Sequence, residues 1–223
     1  MTNITLINEV PNLLSTGDLG RIRTAMETYA NLVAVAWTLS AVTVVVSDTP
    51  IAGNYNFYIT NRIKMGTGIL GYHTKDVAEN ITGYINADRT LKRVGAPFGW
   101  ILRAYPKLKI KERYISGSFS EVLSHEIAEA LVDPLINLYK IDKVNKKSWL
   151  VEVGDQAYNS RFVIPVSSGP LNLVITRILC ADFTLPSFYD NAGLAPYSYA
   201  KGVSAPFHLE KTCYASISDV PNG

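Results

Sequence analysis

The most informative part of the chain is Leu123-Ser-His-Glu-Ile-Ala-Glu-Ala-Leu-Val-Asp-Pro134. His125 and Glu129 are four residues apart, so in a helix they project from nearly the same face and can both reach one ion. Glu126 points about 100° further round the helix than His125, where its carboxylate can lie beside the ion without binding it. The stretch therefore predicts a helix that carries part of a divalent-metal site, with zinc as the expected ion.

The ends of this helix are marked by two local signals. Ser118-Phe-Ser-Glu121 has the spacing of a capping box, and Pro134 disfavours helical geometry at Asp133. Apolar residues such as Ile127 flank the polar ones, so we expect a buried helix, in which a histidine and two glutamates need partners. Surface helices also carry such polar triplets by chance, so spacing alone leaves a metal site and a solvated polar face as alternatives.

A third ligand is expected from another segment, because two side chains do not complete the coordination of zinc. The best downstream source is Glu152-Val-Gly-Asp155, since a strand that ends in glycine presents its carboxylates at a turn. Asp155 is the favoured ligand and Glu152 is the alternative. Asp133 lies eight residues after His125 and has rotated away from it, so we expect Asp133 to support a ligand or to end the helix.

An imidazole and two phenols are further candidates for the site. His73, in Leu70-Gly-Tyr-His73, is a candidate fourth ligand or substrate-binding group. Tyr72 and Tyr158 are candidates to donate a hydrogen bond to an oxyanion, with packing as the simpler role for each. The sequence does not choose between these roles.

Composition and charge exclude several classes of partner. The 223 residues are 48% hydrophobic and carry a net charge of +2, which predicts a sizeable core, no specific nucleic-acid partner and no membrane partner. The N-terminus has no basic region and no apolar stretch of signal-peptide length. Residues 28–47 are uncharged, but polar residues interrupt them and the hydrophobic period changes, which favours a buried helix end and a strand over a transmembrane segment.

The rest of the chain predicts one more long helix and several strands. Apolar residues at three- and four-residue steps indicate an amphipathic helix over residues 18–34, with Asp18 as its N-cap. The β-branched stretch 41–46 is typical of an interior strand. Further strands are expected at residues 56–60, 68–73, 82–87, 107–113, 149–153, 162–166 and 171–179.

Five short blocks of sequence carry a resemblance to a known family. The blocks are Leu70–His73, Leu123–Pro134, Val151–Asp155, Phe183–Phe188 and Ala205–Phe207. In this order they resemble uncharacterised zincin-like proteins of tailed bacteriophages and other double-stranded DNA viruses, over a region from residue 18 to residue 216. Two positions depart from the family: Gln156-Ala-Tyr158 stands where relatives have a further glutamate, and Thr212-Cys213 stands where paired glycines precede Tyr214.

Together, the pattern and the resemblance predict an α+β fold. We expect one zincin-like domain over residues 1–223, in which a small mixed sheet packs on an N-terminal helix and on the metal-site helix. Residues 182–223, with prolines among aromatic residues, are expected to form an irregular C-terminal segment that covers the body or serves as an assembly surface.

The resemblance also implies a site and a function. The ligands would be His125, Glu129 and an acidic residue of Glu152–Asp155, binding zinc or another divalent ion, with Glu126 as the general base of a peptidase or amidase. The resemblance further implies a virion-associated protein, located in the virion with other virion proteins as partners. The alternative is a purely structural component of the head, neck or tail with a catalytically inactive zincin fold, so the sequence leaves open whether the chain is an enzyme.

Overall fold

The computed structural model describes residues 1–63, 68–76, 78–92, 96–104, 110–114, 116–168 and 174–220. The described strands are β1 (Thr2–Asn8), β2 (Val42–Ser47), β3 (Tyr55–Thr60), β4 (Gly71–Lys75), β5 (Ile81–Asn86), β6 (Trp100–Ala104), β7 (Ile110–Tyr114), β8 (Tyr139–Asp142), β9 (Lys147–Leu150), β10 (Arg161–Ser168), β11 (Val174–Ala181) and β12 (Ile217–Asp219). The described helices are α1 (Thr16–Ala36), α2 (Ala87–Thr90) and α3 (Phe119–Val132), with short 3₁₀ turns at Asp155–Ala157 and Pro186–Tyr189.

The largest sheet is mixed and has five strands in the order β2-β1-β3-β5-β4. β1 runs parallel to β2 and β3, and β3 runs parallel to β5, whereas β4 runs antiparallel to β5. Three smaller antiparallel sheets are formed by β6 with β7, by β10 with β11, and by β8, β9 and β12. The predicted α+β class with a mixed sheet is confirmed.

The two long helices lie against each other and against the strands. α1 contacts β2, β10 and β11, and α3 contacts β4, β5 and β11. Their buried side chains join those of the sheet in one apolar cluster, to which Ile4, Phe57, Tyr29, Leu123 and Phe183 contribute. Each such side chain stabilises the fold by about 1.5–3 kcal/mol relative to an exposed one. α3 is therefore held in place by the core on several sides.

Two predictions about the first half of the chain are wrong. Asp18 does not cap α1, because the helix begins earlier: Ser15 is the N-cap, and its Oγ accepts a hydrogen bond of 3.1 Å from the Asp18 N–H. β2 is an edge strand and not an interior one, because β1, which was not predicted, takes the inner position beside it. Accordingly Val46 is 42% exposed. An uncharged, β-branched sequence therefore does not by itself indicate that both faces of a strand are buried.

Other strand predictions differ from the structure mainly in their bounds. The strand expected at residues 149–153 is β9, which ends at Leu150, and the one expected at 68–73 is β4, which begins at Gly71. Residues 107–109 and 171–173 of two expected strands lie outside the described residues, and the remainders belong to β7 and β11. β6, β8 and β12 were not predicted.

The segment from residue 182 onward covers part of the core. It is mostly irregular, but it includes a 3₁₀ turn and β12, which pairs with β9. Phe188 and Phe207 are buried and pack edge-on against Trp149, and the indole N–H of Trp37 donates to the carbonyl of Thr184 at 3.0 Å. These aromatic side chains therefore pack on this chain's own body.

In the part of the chain that the structure describes, no helix has the length and apolar character needed to cross a membrane.

Candidate metal centre

Helix α3 is buried along almost its whole length. Thirteen of its 14 residues are buried, including both Glu126 and Glu129, and the His125 side chain is 12% exposed. The polar side chains of α3 cannot all turn to solvent, so they must find partners inside the molecule. The buried helix that the sequence predicted is confirmed, with the polar residues placed against neighbouring elements.

Local hydrogen bonds mark the two ends of α3. Ser118 is the N-cap, but its side chain makes no capping hydrogen bond, so only the glutamate half of the capping box forms: the Glu121 carboxylate accepts from the Ser118 N–H, and it also accepts from the Gly117 N–H at 2.7 Å. At the other end, Asp133 accepts hydrogen bonds from the N–H groups of Asn137 and Leu138 at 3.0 and 2.8 Å. Of the two roles predicted for Asp133, the structure gives it the one at the helix end.

Three ligand-type side chains converge at His125, the one residue of α3 that is not buried. His125 Nε2 lies 3.2 Å from Glu129 Oε1 and 3.1 Å from Asp155 Oδ1. Donor atoms about 2.0–2.2 Å from a tetrahedrally coordinated zinc lie roughly 3.3 Å from one another, close to these separations. The three residues form a group that could hold a metal ion. The structure thus brings Asp155, the favoured third ligand, to His125 and Glu129.

A glycine allows the loop after β9 to approach this histidine. A Cβ atom on Gly154 would lie 2.5 Å from His125 Nδ1, far inside van der Waals contact. The next residue opens the 3₁₀ turn Asp155–Ala157, which directs the Asp155 carboxylate at the imidazole, and the Asp155 N–H donates to the Glu129 carboxylate. The close approach requires glycine at this position.

A second group lies on the adjoining side of the helix. His73 Nδ1 is 3.6 Å from Glu126 Oε2 and 3.7 Å from Glu129 Oε2, and these three residues also form a group that could hold a metal ion. β4 carries His73 close to α3 at Gly71, where a Cβ atom would lie 2.9 Å from Glu126 Oε1. His73, which the sequence named as a possible fourth ligand, therefore lies beside Glu126 and Glu129.

Glu152, the alternative third ligand, belongs to neither group but lines the same hollow as His73 and Glu129. Burial, followed by the negative charge of Glu129, raises the pKa of Glu152 to about 8. Burial raises the pKa of Asp155 as well, and Glu129 adds to that shift. More carboxylates are gathered here than the surrounding positive charge can keep ionised.

Without an ion, the imidazoles supply the positive charge of the site. Burial opposes protonation of His73, but its hydrogen bond to Glu126 and the charge of Glu129 outweigh burial and raise the pKa to about 9. The pKa of His125 is also raised, because Glu129 and Asp155 outweigh its burial. A bound metal ion needs neutral imidazoles, so it must displace these protons.

Tyr214 is a site residue that the sequence analysis did not select. Its hydroxyl donates a hydrogen bond to the Asp155 carboxylate, and the Tyr214 side chain lines both of the hollows beside α3. Burial, with Asp155 next, holds the pKa of Tyr214 above its usual value. The available signal was the departure from the resembled family just before Tyr214, where Thr212-Cys213 stands in place of paired glycines.

The two tyrosines that were selected lie near the site in different ways. Tyr158 meets the His125 ring edge-on, with centroids 6.3 Å apart, and packs on Tyr214. Tyr72 lines the hollow beside His73, but its ring stacks on Tyr84 at 5.0 Å. These contacts give both rings packing roles, and Tyr158 is the nearer of the two to His125.

Two hollows lie beside α3 and share part of their walls. Gly71, His125, Glu126 and Tyr214 line both of them. We call the two hollows together the cleft.

Comparisons with protein-family models, with curated proteins and with solved structures found no match.

Proposed function

We propose that this chain is a zincin-like, metal-dependent hydrolase of a peptide or amide bond. His125, Glu129 and Asp155 would bind a divalent ion, with zinc as the preferred one. The observation that carries the proposal is the convergence of His125 Nε2 with one oxygen each from Glu129 and Asp155, from two separate segments. One nitrogen and two oxygen donors suit zinc, and a third protein ligand is what a catalytic zinc site needs.

The fit of an ion is supported by a buried carboxylate oxygen. Glu129 Oε1 has no well-formed hydrogen bond among the described residues, and its charged neighbour is the imidazole nitrogen His125 Nε2, 3.2 Å away. A buried carboxylate needs a positive partner, and an ion bound by both groups would replace the imidazole proton in that role. Bound there, the ion would supply Lewis-acid chemistry, polarising a carbonyl group and acidifying a water molecule.

Glu126 is placed to move the proton. It is one residue after the proposed ligand His125, is 5% exposed, and lines both parts of the cleft. His73 lies against its carboxylate at 3.6 Å and orients it. In the proposed reaction Glu126 takes a proton from the attacking water and delivers it to the leaving nitrogen. With Asp155 bound to the ion, the Tyr214 hydroxyl would be released from that carboxylate and could donate to the oxygen of the attacked carbonyl.

The free edge of the five-stranded sheet favours a peptide as the substrate. β4 pairs with β5 on one side and ends the sheet on the other within the described part of the chain. Gly71, Tyr72 and His73 of β4 also line the cleft. An extended peptide can add to such an edge through backbone hydrogen bonds, which would hold a scissile bond beside α3.

The test is hydrolysis of a broad peptide library by the protein loaded with one zinc ion per chain. At this loading we expect kcat/KM of Glu126→Gln to fall by roughly 10²–10⁴-fold, because the proton acceptor is lost while His125, Glu129 and Asp155 are unchanged. Glu79→Gln, at an exposed site, is the matched control and should leave the rate unchanged. Equal turnover in Glu126→Gln and the native protein would remove this mechanism.

A second candidate is a purely structural virion component with an inactive zincin fold. It is favoured by the number of carboxylates in the cleft, since Glu126, Glu129, Glu152 and Asp155 would leave a zinc ion little residual charge and make it a poor Lewis acid. The ion would then serve stability alone. Association with the virion stays a prediction from the resemblance in either case, and stoichiometric presence of the chain in purified particles is its test.

A further inference from the structure

We infer that the cleft binds a second divalent cation, held by His73, Glu126 and Glu129, with the Glu129 carboxylate bridging it to the first ion. The proposed function requires only one ion, at His125, Glu129 and Asp155. The second ion rests on the proposed function only through Glu129, which both ions share. Its other two ligands, His73 on β4 and Glu126 on α3, are not ligands of the first ion.

The two oxygens of Glu129 face different imidazoles. Glu129 Oε1 is 3.2 Å from His125 Nε2, whereas Glu129 Oε2 is 3.7 Å from His73 Nδ1. A carboxylate with one oxygen in each of two donor groups is the geometry that bridges paired metal ions, which lie about 3.5–4 Å apart. The structure therefore contains two adjoining donor groups and not one group with an extra ligand.

The burial of His73 supports a ligand role for this residue. The residue is 7% exposed, its Nδ1 faces only the carboxylates of Glu126 and Glu129, and its Nε2 has no hydrogen-bond partner among the described residues. Nδ1 is therefore the nitrogen that would bind an ion lying between it and the two carboxylates, and Nε2, on the other edge of the ring, would carry the proton.

Charge balance points to the same conclusion. Glu126, Glu129, Glu152 and Asp155 all line one hollow, and the first two and Asp155 form ion pairs with the two imidazoles. With both imidazoles as neutral ligands, one divalent ion balances only two of these carboxylates, so the others must stay protonated, whereas two divalent ions balance all four in their ionised form. Buried charges require such compensation.

The second ion has a consequence for the proposed hydrolysis. A Glu126 carboxylate bound to a divalent ion is a much weaker base, because the ion's charge opposes the arrival of a proton from water. Occupancy of the second position therefore weakens the general base, so the singly loaded protein is the more active form and excess zinc inhibits it.

The experiment counts ions in the full-length protein. The chain has three histidines, so three matched variants are available: His73→Ala, His125→Ala and, as a control outside the cleft, His208→Ala. After equilibration with excess Zn²⁺ and removal of free ion, we expect two ions per chain in the native protein and in His208→Ala, and one in His73→Ala. A single ion in the native protein, or two in His73→Ala, would overturn the inference.

A second measurement covers the case in which His73→Ala does not fold. Two Mn²⁺ ions joined by a carboxylate are magnetically coupled, so the native protein loaded with Mn²⁺ should give the spectrum of a coupled pair, and His73→Gln that of an isolated ion. An isolated-ion spectrum from the fully loaded native protein contradicts the inference. Two bound ions at saturation, with no hydrolysis even at one zinc ion per chain, would fail the proposed function alone, whereas one bound ion at saturation with hydrolysis that depends on Glu126 would fail this inference alone.

Discussion

Helices α1 and α3 both pack on the core, but they bury different kinds of residue. Eight of the 21 residues of α1 are buried and all eight are apolar or aromatic, whereas its charged side chains pair at the surface, as Arg23 does with Glu27. In α3 the buried set includes Glu121, Glu126 and Glu129. A helix with one apolar face needs only a core, but a helix that buries carboxylates needs partners for them, and this contrast is the reason that the proposed metal site is assigned to α3.

The largest expected difference between the two helices concerns removal of metal. An ion that binds only the folded state stabilises it by about 4 kcal/mol at a free concentration a thousandfold above Kd, so chelation should lower Tm by about 10 °C. Thermal unfolding with and without chelator measures this change. Glu129→Gln on α3 should lose the response, whereas Glu27→Gln on α1 should keep it. A Tm that chelator leaves unaltered in the native protein would contradict a metal role for α3.

The pH dependence of stability should also distinguish the cleft of α3. In the metal-free folded protein the pKa of His73 is about 9, above its unfolded value, so His73 stabilises the fold below pH 6.5 and this contribution is lost as pH rises through 9. Glu152, raised to about 8, acts in the same direction. We expect the free energy of unfolding to fall by on the order of 3 kcal/mol between pH 6 and pH 9.

Chemical denaturation at several pH values is the measurement, and His73→Gln is the matched variant, with a weaker dependence on pH. The metal-loaded protein should show a flatter profile, because the ion has already displaced the protons. A metal-free protein that is more stable at pH 9 than at pH 6 would show that the cleft does not hold these protons.

The sequence predicted those features of the fold and of the site that depend on the local spacing of residues. α3 follows from apolar periodicity, Ser118 and Pro134, and the glycine before Asp155 indicated a turn that presents a carboxylate. The place of His73 could not be predicted, because it depends on the register of β4 against β5 and on the close approach at Gly71. These are tertiary relations between segments about fifty residues apart, and no local pattern encodes them.

A glycine substitution compares the surroundings of the two helices directly. Gly154→Ala places a Cβ atom 2.5 Å from His125 Nδ1 and must displace the imidazole, so we expect zinc affinity to fall about 10–100-fold. Gly20→Ala on α1 meets nothing within 4 Å and should leave zinc affinity unchanged while stabilising the helix by up to about 1 kcal/mol. Zinc titration and denaturation of both variants measure this, and equal zinc affinities would argue against His125 as a ligand.

The smallest effect is expected at the surface of α1. Glu27→Gln removes the 2.9 Å pair with Arg23, but both side chains are more than a third exposed, so the loss in unfolding free energy should be about 0.5 kcal/mol or less. Urea denaturation of this variant beside Glu129→Gln sharpens the contrast. A larger loss from Glu27→Gln than from Glu129→Gln would mean that burial of the carboxylate on α3 carries no special energetic weight.

The most direct test is anomalous X-ray diffraction at the zinc absorption edge from crystals of the zinc-loaded protein. A peak bounded by His125 Nε2, a Glu129 oxygen and an Asp155 oxygen, at distances of about 2.0–2.2 Å, is the predicted result. Loaded crystals with no anomalous peak between these three side chains would contradict the metal centre on which the proposed function rests.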